Sequence, residues 1–281
     1  MEFVKLVGPT AIFFIMYSLG LKLTFVNFYE LLKNPKNLIA GLICQLIFLP
    51  IIGLLIVSFY PMPDELKIGI LLLLLLPSAT MSNYATRLVD GNVSLSIAIT
   101  TICSLLCIIT IPVGMKVLFE LVMHKPIENF DIKKISLQIF IIISIPTILG
   151  ILTNRYFNLF KQRIVLLFDK ISMILFLLII SIAVYQERMN LGGYFEYVGI
   201  VAPIILFFVL IISLVFTKFI VDGIDSQRSI TVECLLQNGA MGFIVSAQIF
   251  SDIAYVTPIA LYALLQYFVL AFYVANIKIV K

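Results

Sequence analysis

The sequence predicts an all-α integral membrane protein with about nine transmembrane helices. Three observations carry that prediction. The 281 residues are 62% hydrophobic and 12% charged, with a mean hydropathy of +1.15, whereas a soluble domain of ordinary composition carries about 25% charged residues. The apolar residues gather in continuous runs, and about 20 such residues of helix cross the hydrocarbon layer. The runs are also too long and too continuously apolar for the alternating strands of an outer-membrane barrel, which leaves helices to satisfy the backbone in lipid.

In chain order the expected spans run roughly Val4–Leu21, Asn37–Tyr60, Lys67–Val89, Val93–Met115, Ser136–Tyr156, Ile164–Tyr185, Tyr194–Phe219, Ser229–Phe250 and Thr257–Val274. The first lacks the basic start and small-residue cleavage site of a signal peptide, so it reads as a retained helix. The second carries an amide, Gln45, before Pro50. The third is interrupted by a polar knot, Pro77-Ser78-Ala79-Thr80-Met81-Ser82-Asn83. The loop Asp90-Gly91-Asn92 leads to the fourth, on which Ser96 and Thr100 stand four apart and share a face. The eighth is interrupted in turn, by Thr231-Val232-Glu233-Cys234-Leu235-Leu236-Gln237-Asn238-Gly239. The longest connections, near Lys22–Lys36 and Leu118–Lys134, are still short, and Phe28, Leu31 and Leu32 in the first suit the interface.

Lys and Arg set the orientation. With the N-terminus outside, twelve cations face inward (Lys22, Lys33, Lys36, Arg87, Arg155, Lys161, Arg163, Lys170, Lys218, Arg228, Lys278, Lys281) and seven outward (Lys5, Lys67, Lys116, Lys125, Lys133, Lys134, Arg188). That favours a cell-membrane protein with its N-terminus outside and its C-terminus cytoplasmic. The net charge of +4 is no sign of nucleic-acid binding in such a chain. Cys44, Cys103, Cys107 and Cys234 lie in apolar runs and read as small buried hydrophobes. An enzyme is disfavoured. The single histidine, His124, lies in a polar loop, which excludes His-based triads and the HExxH zinc site.

The chemistry concentrates in the two interrupted spans. An ionisable group at membrane depth is expensive and marks a functional site by default. Glu233 lies five residues beyond Arg228, about 7.5 Å along a helix. Gln237 follows four residues later on the same helical face, and Asn238-Gly239 offers a point of low helix propensity. A break there frees backbone carbonyls that something polar must satisfy, and a desolvated alkali cation is such a partner. Pro77 disrupts the other helix, and Ser78, Thr80, Ser82 and Asn83 follow within six residues. Hydroxyl and amide oxygens around one carboxylate suit a hard monovalent cation, whereas transition metals favour imidazole or thiolate. The competing reading of Glu233 is a protonated carboxyl bonded within the bundle. Ser96 or Thr100 alone would be expected to bond back to its own helix, and Gln45 serves equally as interhelical glue or as ligand. Interrupted spans in both halves point to a transporter binding site.

These residues resemble the bile acid:sodium symporter family. Its signatures are a Pro-Gly-Gly-Thr-x-Ser-Asn-like run, a following Gly-(Asn/Asp)-x-x-Leu-Ser-x-x-x-Thr and a late Glu-x-Gly-x-Gln-Asn. Here they read Pro77 to Asn83, Gly91 to Thr100 and Glu233 to Asn238. Met16-Tyr17-Ser18-Leu19-Gly20-Leu21 also looks like the family's entry helix, and Gln45 falls where the family has a glutamine. The resemblance implies an inverted-repeat transporter with two crossing broken helices. Panel helices would lie at about 4–21, 136–156 and 164–185, and core helices at about 37–115 and 194–274. It implies one sodium site from Ser82, Asn83, Ser96, Thr100 and Glu233, and another from Gln45, Glu233, Gln237 and carbonyls near Cys234 and Leu236. It implies a small organic anion, bile-acid-like or a carboxylate such as pantoate or pyruvate, near Thr80 and Asn238. Gln266-Tyr267 stands where some bacterial members have His-Asn near the substrate. No cofactor beyond the coupling ion is implied. Ser78-Ala79 replaces the family's Gly-Gly and Leu235 its usual Gly, which narrows the crossing. The resulting expectation is sodium-coupled import. The alternatives are a proton-coupled or uncoupled permease or exporter of the same superfold, and a receptor or scaffold that does not transport.

Overall fold

The computed structural model describes residues 2–22, 35–79, 81–123, 132–156, 191–250 and 252–279, with scattered helical positions between 165 and 185. Among the described residues four helices are long and apolar enough to cross a membrane: Pro35–Phe59, Val93–Val122, Gly192–Ile220 and Thr257–Ile277. Pro9–Ser18 and Phe140–Tyr156 are shorter apolar helices.

Helix α1 (Glu2–Lys22) runs along α6 (Ile132–Tyr156). Their backbones approach at two glycines. A Cβ on Gly20 would fall 2.2 Å from the Thr147 carbonyl oxygen, and one on Gly150 would fall 2.3 Å from that of Tyr17. Small residues allow this in a bilayer, where packing rather than a hydrophobic force holds helices together. The Tyr17 hydroxyl adds a hydrogen bond of 2.9 Å to Thr153 Oγ1.

Helix α2 (Pro35–Phe59) contains a π-turn at Cys44–Phe48. Leu49 N–H donates to the Cys44 carbonyl, and Pro50, which has no N–H to donate, follows at once. The wider turn carries Gln45 into the protein interior, where it is 1% exposed.

The span expected at Lys67–Val89 is two helices, α3 (Asp64–Leu74) and α4 (Met81–Leu88). Residues Leu66 and Ile68 to Leu74 of α3 are all buried, so from Ile68 onward this helix is apolar on every face and sits inside the bundle. Its last turn tightens, with Leu76 N–H donating to the Leu73 carbonyl. The chain is then extended from Pro77 to Ala79, since Pro77 biases the preceding residue away from the helix and has no N–H for the ladder. After α4, Asp90 takes a left-handed conformation (φ 51°) and Asn92 Oδ1 accepts from Leu95 N–H, capping α5 (Val93–Met123). Helix α5 outruns its expected end at Met115. Leu118 and Val122 continue its buried face beyond the exposed Lys116.

Helix α7 (Leu191–Ile220) leads through Gly223 (φ 84°) into α8 (Ile224–Leu235). The span expected at Ser229–Phe250 is likewise split, into α8 and α9 (Gly239–Ile249), and α10 (Thr257–Ile279) closes the bundle. One expectation needs correction. Gln237 does not continue the helical face of Glu233, because α8 ends at Leu235 and Leu236 is extended (φ −108°, ψ 92°). The expected span 164–185 lies largely outside the described residues, as do Phe28, Leu31 and Leu32.

Candidate functional site

The two breaks meet. Ser78 and Gln237 form an isolated antiparallel β-bridge. Ala79 N–H donates to the Leu236 carbonyl at 2.9 Å, and Asn238 N–H donates to the Pro77 carbonyl at 3.1 Å. Backbone groups released by each broken helix are therefore satisfied by the other, as a low-dielectric interior requires. Asn238 then starts α9, its Oδ1 accepting from Met241 N–H at 3.0 Å. Gly239 lets α10 come close, since a Cβ there would lie 2.4 Å from the Cβ of Ala263.

Beside this crossing Glu233 is 1% exposed and receives four hydroxyls from three segments. Ser82 Oγ of α4 donates to Oε1 at 2.6 Å, and Thr100 Oγ1 of α5 donates to Oε2 at 2.7 Å. Ser96 of α5 also reaches Oε1, and Ser78 of the extended segment reaches Oε2. Ser96 Oγ lies 2.8 Å from Asn83 Oδ1 as well, and Thr86 Oγ1 donates to it at 3.2 Å. Among the described residues no lysine or arginine forms an ion pair with Glu233. Arg228, five residues earlier on α8, instead donates to the Val89 carbonyl. The carboxylate is thus compensated by hydroxyl dipoles. Each hydrogen bond to a charged group contributes about 1.5–3 kcal/mol, set against a burial penalty of several kcal/mol per ion. A small cation among the same oxygens would supply the missing counter-charge.

A second polar chain runs through three buried glutamines. Gln266 of α10 clamps the backbone of Gln237, accepting from its N–H at 2.9 Å and donating to its carbonyl at 3.1 Å. The Gln237 side chain accepts from Gln45 Nε2 at 2.8 Å and donates to the Cys234 carbonyl at 3.0 Å. Gln45 Nε2 also reaches the Leu76 carbonyl at 3.0 Å. Both neighbours of that nitrogen are acceptors, which fixes the amide orientation. Among the described residues Gln45 Oε1 is left buried with no hydrogen-bond partner, an atom suited to a cation.

The residues expected around the carboxylate, Ser82, Asn83, Ser96 and Thr100, converge with Glu233 from α4, α5 and α8. Gln45 and Gln237 meet each other, and the Cys234 and Leu236 carbonyls point into the same region through their hydrogen bonds to Gln237 and Ala79. Thr80 lies outside the described residues. Asn238 is buried at the crossing as a helix cap, and Tyr267 is 44% exposed on α10. Sequence reasoning singled out Ser78 with the polar residues of the first break but left it out of the expected sodium sites, gave Thr86 no role, and did not foresee the backbone clamp of Gln266. Thr86 was within reach, since it follows Ser82 by four positions and shares its helical face. Among the described residues every side chain that donates to Glu233 does so through a hydroxyl, and such oxygens suit a hard cation.

The chain is similar to several sodium-linked carriers. It is 28% identical over 252 residues to the probable sodium/metabolite cotransporter BASS2, chloroplastic, of Oryza sativa subsp. japonica, covering 88% of this chain and 58% of that protein. It is 27% identical over 259 residues to the uncharacterized sodium-dependent transporter YocS of Bacillus subtilis, covering 89% of this chain and 76% of that one. It is 21% identical over 245 residues to the probable sodium/metabolite cotransporter BASS1, chloroplastic, of Arabidopsis thaliana, covering 87% and 60%. The chain thus spans about three fifths of the length of these chloroplast relatives. Matches that leave out only about an eighth of the chain take in both breaks. A family model, the Sodium Bile acid symporter family, matches residues 9–193, which include the π-turn, the first break and the Ser96–Thr100 face. With those matches in hand, the chain belongs to the sodium bile acid symporter family.

Proposed function

We propose that this protein is a secondary active symporter that couples inward sodium movement to import of a small organic anion. One observation carries the reading: a buried carboxylate with no cationic partner among the described residues, ringed by neutral oxygens from discontinuous segments at a helix crossing. Sodium is the cargo that fits this donor set. Glu233, Ser82, Asn83, Ser96 and Thr100 hold one ion. Gln45 Oε1, Gln237, Glu233 and the Cys234 and Leu236 carbonyls hold a second, with the shared carboxylate linking the two. Sodium-linked relatives support the reading through their names.

The anion binds on the far side of the crossing, near Thr80 and Asn238. The half-helices α4 and α9 begin there, and helix N-termini favour negative charge. Tyr267 contributes from α10, and Gln266 acts on the substrate through the Gln237 backbone that it holds. Sodium binding ties the two breaks together and completes the anion site. A panel of α1, α6 and residues 164–185 then rocks against the remaining core in the cell membrane, with the N-terminus outside. Each sodium ion that enters draws about 2.3 kcal/mol from every 100 mV of membrane potential. Two sodium ions with one monoanion make the cycle electrogenic.

The test is uptake of small carboxylates into proteoliposomes under an imposed sodium gradient. Uptake should require inward sodium and should generate current. Equal uptake in sodium and in choline would leave an uncoupled or proton-coupled permease. Absence of any flux across a carboxylate panel would favour a receptor or scaffold.

A further inference from the structure

Ser78 has no place in the ligand set expected from the family, where glycine is usual, yet its hydroxyl is at the carboxylate. It is 1% exposed, donates to Glu233 Oε2 and lies 2.9 Å from Thr100 Oγ1. Several other membrane hydroxyls of this protein show what a structural one does. Thr101, Ser104, Thr147, Thr217 and Thr231 each bond back to the carbonyl four residues earlier on their own helix. Ser78 sits in an extended segment and has no such carbonyl, so its oxygen reaches across to α5 and α8. A hydroxyl that donates its one hydrogen to a carboxylate keeps its lone pairs free for a cation. The backbone of the same residue is one half of the bridge to Gln237.

We propose that Ser78 is an additional direct ligand for the sodium ion held at Glu233, and that it ties ion occupancy to the backbone crossing. The proposal rests on the sodium reading above. Through Ser78 the ion grips the first break by its side chain while the β-bridge grips the second. An ion that binds there stiffens both broken helices at once. A glycine at this position leaves the ion held by α4, α5 and α8 alone, with the extended segment free of it.

The test measures thermal stabilisation of the purified protein by sodium alone, titrated against choline. Wild type sets the reference midpoint. Ser78→Ala and Ser78→Gly should each raise the half-saturating sodium concentration about tenfold or more, the loss of one ligand oxygen from a dry site. Their melting temperatures in choline should fall below wild type, because each variant loses the hydrogen bond to Glu233, and referring the sodium titration to each variant's own melt in choline separates a lost ligand from that loss. Ser78→Thr retains the oxygen and should keep the wild-type midpoint. An unchanged midpoint in the alanine and glycine variants, with wild type responding to sodium, overturns the role of Ser78 and leaves sodium coupling standing. A threonine variant shifted as far as alanine overturns it too. A wild type indifferent to sodium overturns the sodium reading itself.

Discussion

Replacing Glu233 by glutamine tests the site at its only charge among the described residues. The side chain keeps its size, so the perturbation is electrostatic. A cation held by Ser82 and Thr100, whose hydroxyls lie 2.6 and 2.7 Å from the carboxylate oxygens, sits within reach of a full negative charge. At a separation of about 4 Å and an effective dielectric of about 20, that attraction is about 4 kcal/mol. Losing it raises the sodium dissociation constant by about three orders of magnitude. At a sodium concentration about 100 times the wild-type dissociation constant, the ion stabilises the wild-type fold by about 2.7 kcal/mol. In Glu233→Gln the same concentration contributes less than about 0.1 kcal/mol. The wild-type melting temperature should therefore rise by roughly 5–10 °C with sodium, and that of the variant by less than about one degree. The assay is a melting curve in detergent with sodium exchanged for choline at constant ionic strength. Sodium-dependent uptake should vanish in the same variant while the protein remains in the membrane. A variant that melts higher in sodium by as much as wild type would refute the placement of the ion at this carboxylate.

Further outcomes follow from the packing around the crossing and from an exposed contact between Lys36, Asn37 and Asp222. Gln266→Leu removes the acceptor of the buried Gln237 N–H, which should cost about 1–3 kcal/mol and lower the melting temperature even without sodium; an unchanged melt would mean the clamp is dispensable. Gly239→Ala drives a methyl group to 2.4 Å from the Cβ of Ala263, an overpacking of about 1–3 kcal/mol. Adding Ala263→Gly should restore most of that loss, and a double-mutant cycle with no coupling would contradict the close approach of α9 and α10. Lys36→Ala breaks an ion pair with Asp222 whose side chains are 52% and 65% exposed, so it should change stability by less than about 1 kcal/mol and leave the sodium midpoint alone. Asn37 still holds the Asp222 backbone at 2.8 and 3.0 Å, and its replacement by alanine should cost more.

Composition and periodicity determined that this chain lives in lipid and that its backbone is helical, because apolar runs of spanning length have few other ways to satisfy their peptide groups. Local chemistry located both breaks to within two or three residues. Pro77 lacks a donor, and Asn238-Gly239 combines an N-cap with poor helix propensity. The i, i+4 spacing put Ser96 and Thr100 on one face, and both now reach Glu233. Tertiary structure decided the rest. Helical spacing assigned Gln237 to the face of Glu233, yet the pairing of the breaks ends α8 early and turns that residue toward Gln45. Ser78 read as one polar residue of the break and as a larger substitute for the family's glycine, and only the fold set it on a carboxylate 155 positions away. Gln266, expected near the substrate, lies along the Gln237 backbone, a contact that only the packing of α10 against the second break produces. A sequence carries the period of each helix and the residues that stop it. Which oxygens share one ion depends on how separate segments cross, and that is settled by packing between residues far apart in the chain.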